Sequence, residues 1–225
     1  MTVKAITDIL EQKAPLQLAE DFDNVGLLVG NADMEVTGIL VTLDTLEAVV
    51  EEAITRNCNL IVSFHPIVFK GLKRITGTSY VERVVAKAIE NQIAIYSMHT
   101  ALDNVPGGVS GKMCEVLGLQ SPEVLIPTKR SIKKLLTYVP LPAQDVLLEK
   151  LFEAGAGHLG NYSQCSFSTE GTGGFLPEPG AHPTLGTRGQ RHLEPEAQSH
   201  ITCEAHRAKS VLQALFTNHP YEEVA

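Results

Sequence analysis

Two apolar runs of the sequence are each followed by side chains that commonly bind divalent metal ions. His65 comes after the run 59–62, and His99 and Asp103 come after the run 93–96. Imidazole nitrogens and carboxylate oxygens are typical ligands of zinc and of other first-row transition metals. Because ligands of an open α/β sheet collect at the carboxyl ends of its strands, we expect these three side chains at one rim. The sequence therefore predicts a divalent-metal site at this rim.

Each of the three side chains also has a simpler interpretation. His65 could end a strand with its ring bonded to a backbone carbonyl, and Asp103 could cap the helix that follows it. His99 could bind the metal or orient another ligand through a hydrogen bond, and we favour the orienting role.

The elements that must position these side chains alternate between strand-like and helix-like segments, which predicts βαβ units around a largely buried sheet. Thr2 can cap a first helix that ends before Pro15, and Asp44 can cap the second helix. Asp23 and Asn24 are typical of a turn shaped by side-chain hydrogen bonds. Strands are predicted at 27–29, 36–43, 60–63 and 93–97, and further helices at 46–57, at 79–91 and between the Gly107-Gly108 pair and Gly118.

The composition changes near residue 120, where serine and proline residues indicate a linker into a second domain. We place the two domains at 1–125 and 130–225. The second domain has a β-α-β-β-α order, which is typical of a ferredoxin-like sandwich without its last strand. Its elements are predicted at 132–139, 143–154, 157–176 (a glycine-rich hairpin region), 200–205 and 208–218, with a flexible stretch at 177–192.

The bulk composition restricts the partners of the protein. The chain has 225 residues, is 44% hydrophobic and has a formal net charge of −8, so we expect no general electrostatic binding to nucleic acid. A local basic cluster at 129–134 is interpreted as solvated surface. The four cysteines form no C-x-x-C pair, and no apolar run is long enough to cross a bilayer or to serve as a signal peptide. We therefore predict a cytoplasmic protein without a membrane partner.

Three segments of the first half together resemble the Nif-three-like family, whose members are also called GTP cyclohydrolase 1 type 2 homologues. The second half resembles the insert of the longer family members, which is similar to the PII and CutA folds. The resemblance covers nearly the whole chain and rests on 23–30 (DNVGLLVG), 65–73 (HPIVFKGLK), 99–103 (HTALD), 155–162 (GAGHLGNY) and 219–223 (HPYEE). It implies an α/β metal-binding domain followed by a ferredoxin-like α+β insert.

The resemblance also implies a cofactor and an assembly. Family members hold two divalent ions per complete site, for which zinc, manganese, iron and nickel are all suitable, and they assemble into homohexameric rings, a trimer of dimers. His65 matches the second histidine of a metal-binding loop, and Asp103 matches an aspartate that bridges the two metals. No residue of this chain is assigned a catalytic role.

Two features depart from the family pattern. Phe64 stands where many members have the first histidine of the loop. The chain also ends before the half of the family fold that would supply a further histidine and a glutamate. We therefore expect this chain to hold only part of the metal site and part of the insert, and to be inactive alone as a hydrolase.

The resemblance leaves three functions open. The first is a metal-dependent hydrolase in which activated water attacks the imidazole ring of GTP or a phosphoester. The second is a non-catalytic ring assembly whose insert senses a small ligand and whose metal is structural. The third is a metal-handling protein, which the CutA-like insert suggests.

Overall fold

The computed structural model describes residues 1–127 and 131–225. The chain divides into two compact units, Met1–Val124 and Leu125–Ala225. Lys129 and Arg130, two members of the predicted basic cluster, lie outside the described residues.

The first unit contains a four-stranded mixed sheet with helices on both faces. Its strands are β1 (Gly26–Val29), β2 (Ile39–Thr42), β3 (Leu60–Ser63) and β4 (Ala94–Ser97), in the order β1-β4-β3-β2. Strands β2, β3 and β4 are parallel, whereas β1 is antiparallel to β4. The predicted βαβ arrangement is confirmed. The helices are α1 (Val3–Lys13), α2 (Glu47–Thr55), α3 (Tyr80–Glu90), α4 (His99–Asp103) and α5 (Val109–Val116).

The two central strands of this sheet are buried on both faces. All residues of β3 and β4 are buried, which explains why both strands are nearly continuous apolar runs in the sequence. Ile61 and Ile95 pack on one side with residues of α2 and α3. Leu60 and Tyr96 pack on the other side with residues of α1. The core therefore fixes the positions of β3 and β4, and His65 and His99 follow the carboxyl ends of these two strands.

Four local interpretations for the first unit differ from the structure. Strand β2 is shorter than predicted. Asp44 does not cap the next helix, because α2 begins after Leu46 and has no side-chain cap. The segment from His99 to Asp103 forms the one-turn helix α4, where a loop was expected. Asp103 does not cap α5, whose N-cap is Gly108.

The second unit contains a three-stranded antiparallel sheet and two helices that share one core. Its elements are β5 (Ile132–Pro140), α6 (Gln144–Glu153), β6 (Ser166–Phe175), β7 (His192–Glu204) and α7 (Ala208–Asn218). The order in the sheet is β5-β7-β6. Leu147, Leu151, Ile201, Val211 and Leu215 are buried in the core of this unit.

Strands β6 and β7 form a longer ladder than the sequence predicted. Strand β7 begins at His192, and its pairing with β6 runs from Ser166 opposite Ile201 to Phe175 opposite His192. The paired segment includes three glycines and Pro195, residue types that are depleted in strands. Because of these residue types, the sequence did not predict that β7 begins at His192. In the described part of the chain, no helix has the length and apolar character needed to cross a membrane.

Candidate metal site at the carboxyl edge of the first sheet

The backbone places His65 and His99 side by side, because the parallel pairing continues past the ends of the strands. The amide of His65 donates to the carbonyl of Leu43 (2.9 Å), and the amide of His99 donates to the carbonyl of Phe64 (3.0 Å). The Ser97 hydroxyl also donates to the Phe64 carbonyl at 2.7 Å. The centroids of the two imidazole rings are consequently 5.4 Å apart.

Asp44, two residues after the neighbouring strand β2, holds the ring of His65. The Nδ1 atom of His65 lies 2.7 Å from Oδ1 of Asp44. Both side chains are about half exposed, at 46% for His65 and 51% for Asp44. The pair therefore lies at the open rim of the sheet, where a solute can reach the other ring nitrogen.

Asp23 holds the ring of His99, and this aspartate is fully buried. Nδ1 of His99 lies 2.8 Å from Oδ1 of Asp23, whose side chain is 0% exposed. Burial raises the pKa of Asp23, but hydrogen bonds from His99, Thr100 and Asn24 together lower it below the usual value. Asp23 is therefore a carboxylate that only accepts, so Nδ1 of His99 is the donor of this hydrogen bond and Nε2 is the ring nitrogen left for another contact.

The two remaining imidazole nitrogens have the environment of metal ligands. Within the described residues, neither Nε2 atom has a hydrogen-bond partner. A histidine that binds a metal through one nitrogen usually donates from the other to a carboxylate, which fixes its tautomer and orientation. Both histidines meet this condition, so they fit a divalent cation by the chemistry of their donor atoms.

Phe64 lies beside both imidazoles and is part of the wall of the site. Its ring centroid is 5.0 Å from that of His65 and 5.3 Å from that of His99, with edge-on geometry in both contacts. The aromatic ring contributes no ligand. It gives the site an apolar, aromatic side next to both imidazoles.

Asp103 is the last residue of α4 and follows His99 by four residues. This spacing places the two side chains on the same face of a helix, and Asp103 is half-buried. In the part of the chain that the structure describes, no three histidine, cysteine, aspartate or glutamate side chains form a group that could hold a metal ion. The structure thus brings His65 and His99 together, and it does not group Asp103 with them.

Sequence reasoning missed the roles of Asp23 and Asp44. Asp23 was predicted to shape a turn, and it does accept a hydrogen bond from the amide of Asn24 (2.8 Å), but it also holds His99. Asp44 was predicted as a helix cap and instead holds His65. One signal was present for Asp44, since it directly follows a predicted strand and therefore belongs to the same rim as His65.

Comparisons with known proteins identify relatives along the whole chain. The family described as Duf34/NIF3 (NGG1p interacting factor 3) matches residues 1–213. A Bacillus subtilis protein named GTP cyclohydrolase 1 type 2 homolog is 39% identical over 221 residues, which are 98% of this chain. A Staphylococcus epidermidis protein of the same name is 34% identical over 222 residues.

Solved structures show the same likeness. The crystal structure of a Bacillus cereus protein related to NIF3 superposes with a TM-score of 0.84 at 39% identity and covers 100% of this chain. A Staphylococcus aureus protein superposes with a TM-score of 0.65 at 30% identity. The chain spans 59% of the length of the Bacillus subtilis relative and 60% of the Bacillus cereus structure.

Proposed function

Because the chain belongs to the Duf34/NIF3 family, we propose that its first unit supplies part of a dinuclear metal site in a hydrolase-like protein. The observation that carries the proposal is the pair of imidazoles at the rim of the first sheet. Each has Nδ1 on an aspartate, and their rings are 5.4 Å apart. Such carboxylate-held imidazoles are typical of metal ligands.

We propose that His65 and Asp103 would hold the metal ions, as the family resemblance implies. His99 has the same environment as His65, with a more deeply buried aspartate behind it. We therefore assign His99 as a ligand or as a residue that orients another ligand. This chain covers 60% of the length of one longer relative. We propose that the remaining histidine and glutamate of the family site come from the other part of such relatives.

When bound, two divalent cations would lower the pKa of a water molecule and polarise the oxygens of a phosphate or carbonyl group. The residues of this chain then have defined tasks. Asp44 and Asp23 hold the imidazoles in one tautomer. Phe64 gives the site an apolar, aromatic side. The proposed substrate class is a nucleotide, with opening of the imidazole ring of GTP or cleavage of a phosphoester as the reaction.

We propose that the second unit is the ferredoxin-like, PII/CutA-like insert. Its β-α-β-β-α order and the sheet order β5-β7-β6 support this assignment. In that fold a fourth strand lies beside the first, which corresponds to β5 here. The carbonyl of Ala225 accepts hydrogen bonds from the amide of Tyr138 (3.1 Å) and the hydroxyl of Thr137 (2.7 Å), both in β5. We also propose that the protein assembles as a homohexamer. The four free thiols support a reducing, cytoplasmic compartment.

The proposal is tested by metal content and hydrolysis. We would prepare the 225-residue chain and a form extended to the length of its relatives, and measure bound metal by mass spectrometry and the turnover of GTP and of a model phosphodiester. We expect about two metals per extended chain, with turnover that requires added metal. His65→Ala should remove both properties. His158→Ala, which changes an exposed histidine of the second unit, is the matched control.

Two outcomes would argue against the hydrolase. If the extended form binds no metal, the proposed metal-dependent hydrolysis is excluded. An extended form that binds two metals through His65 but turns over neither substrate would favour the second function, a ring assembly with a structural metal and a sensing insert. One observation favours that second function in its own right, namely a cavity in the second unit that contains a buried carboxylate.

A further inference from the structure

The second unit contains a small cavity of about 270 Å³ between the β6–β7 hairpin, the segment 177–191 and the last residues of the chain. Its walls are mostly apolar and include Phe175, Pro177, Pro183 and Leu185. The polar groups that face it include Glu196 and Tyr221. Apolar walls with a few fixed polar groups are the usual composition of a small-molecule site.

Glu196 is a buried carboxylate with one oxygen left without a partner. The residue is 7% exposed, and its Oε1 accepts a hydrogen bond from the Tyr221 hydroxyl at 2.6 Å. Within the described residues, Oε2 accepts no hydrogen bond. Oε2 lies beside Gly173, where an added Cβ would overlap it. Because a carboxylate oxygen accepts hydrogen bonds, Oε2 can take a donor from a ligand.

The phenol of Tyr221 is held so that it donates to this carboxylate. The amide of Tyr221 donates to Nδ1 of His219 (3.1 Å), and Nε2 of that imidazole lies 2.9 Å from the carbonyl of Tyr138. Burial, followed by the hydrogen bond to Glu196, raises the pKa of the Tyr221 hydroxyl above its usual value. The phenol therefore stays protonated and does not contribute a negative charge of its own.

The charge of the cavity lining selects the kind of ligand. Three carboxylates line it, those of Glu196, Glu222 and Glu223, and its described lining residues include no lysine or arginine. Glu222 is engaged in part, since its Oε2 accepts from the amide of His182 at 2.6 Å. The aromatic rings of Phe175 and Tyr221 stand edge to face at 5.8 Å, which provides a π surface beside the carboxylate. An acidic, aromatic-walled cavity attracts a cation with an apolar body.

We propose that the second unit binds a small organic cation, an ammonium group on a short apolar body, with the ammonium on the carboxylate of Glu196 and the body between Phe175 and Leu185. A metal ion is a poorer occupant. In the described part of the chain the cavity offers no group of three metal-binding side chains. This inference is independent of the proposed metal site, because it concerns only residues of the second unit.

The test uses benzylamine as the probe and benzyl alcohol as its neutral counterpart of similar shape. Calorimetric titration of the 225-residue chain should show binding of benzylamine, and benzyl alcohol should bind at least about tenfold more weakly. Glu196→Gln keeps an acceptor for Tyr221 but removes the charge, and it should weaken benzylamine binding roughly ten- to a hundredfold. Glu178→Gln is the matched control, because Glu178 is exposed on the adjoining segment and does not line the cavity.

A second measurement keeps the test decisive if Glu196→Gln does not fold. In the unmodified chain, benzylamine should shift the amide resonances of Gly173, Gly174 and Tyr221, and benzyl alcohol should not. Three results would overturn the proposal: no benzylamine binding, equal binding of the two probes, or shifts confined to residues away from this cavity.

Discussion

Asp23 and Asp44 hold their histidines by the same contact in very different surroundings. The side chain of Asp23 is 0% exposed and accepts several hydrogen bonds, whereas that of Asp44 is 51% exposed and holds only His65 among the described side chains. Replacing Asp23 would therefore disturb the local fold as well as the imidazole. Asp44 is the better position for testing the imidazole alone.

We expect Asp44→Asn to weaken metal binding at the rim without loss of stability. An amide oxygen is a weaker acceptor than a carboxylate, so the tautomer and basicity of His65 are less well fixed, and loss of such a partner typically lowers metal affinity about 10- to 100-fold. The measurement is a Co²⁺ titration of the chain followed by visible absorption. Asp21→Asn, another exposed aspartate near the site, is the control. Equal Co²⁺ affinity in both variants would contradict a ligand role for His65.

At the scale of elements, α4 is positioned by a close contact with the start of α5. Gly108 precedes α5, and a Cβ added there would overlap the carbonyl oxygen of Leu102 in α4. The neighbouring Gly107 has open space at the same position. The contact with Leu102 accounts for Gly108 through packing.

The two glycines provide a matched pair of substitutions. Gly108→Ala should displace α4 and destabilise the first unit by about 2 kcal/mol or more, as expected when a side chain is forced onto backbone. Gly107→Ala should stay within about 0.5 kcal/mol of the unmodified chain. Amide hydrogen exchange of β4 and α4 measures both effects. Similar exchange rates in the two variants would mean that α4 accommodates the added methyl group without loss of stability.

The start of α3 is stabilised by an ionised glutamate. Hydrogen bonds from the amide and hydroxyl of Thr76, with further bonds from Ser79 and Thr78, lower the pKa of Glu82 to about 2. A folded pKa below the unfolded value stabilises the fold fully above the unfolded pKa. That stabilisation is lost as pH falls from about 4.5 towards about 2.

We therefore expect the protection factors of the α3 amides, which correct for the intrinsic pH dependence of hydrogen exchange, to fall as the solution is acidified through this range. Glu82→Gln should exchange faster at neutral pH and should show a smaller additional change on acidification. Glu90→Gln, at the other end of the same helix, is the control and should behave like the unmodified chain. A steep acid response that persists in Glu82→Gln would assign it to a different carboxylate.

The elements differ in how far the sequence could predict them, and the cause is the environment of each. Strands β3 and β4 were predictable because full burial on both faces produces uninterrupted apolar runs. Strands β6 and β7 were only partly predictable, since their ladder passes through glycines and a proline that favour loops. The Asp44–His65 pair joins residues 21 positions apart, so the sequence could place both residues at one rim but could not show their contact.

At the scale of the whole chain, the first sheet ends in an exposed edge. Strand β2 is the last strand beside β3, and its Ile39 and Val41 are 42% and 76% exposed. Leu43, directly after the strand, is 59% exposed. A parallel edge strand with exposed apolar side chains presents unpaired backbone groups to another chain.

We expect the 225-residue chain to self-associate through this edge at high concentration, and Val41→Lys to suppress the association. A lysine on an edge strand opposes pairing with a second edge, and the change should alter the free energy of unfolding by less than about 0.5 kcal/mol because Val41 is mostly exposed. Val146→Lys is the control, since Val146 is 61% exposed on α6 of the second unit. Sedimentation velocity over a concentration series distinguishes the variants. A monomeric unmodified chain, or equal association of all three proteins, would show that β2 is not the contact.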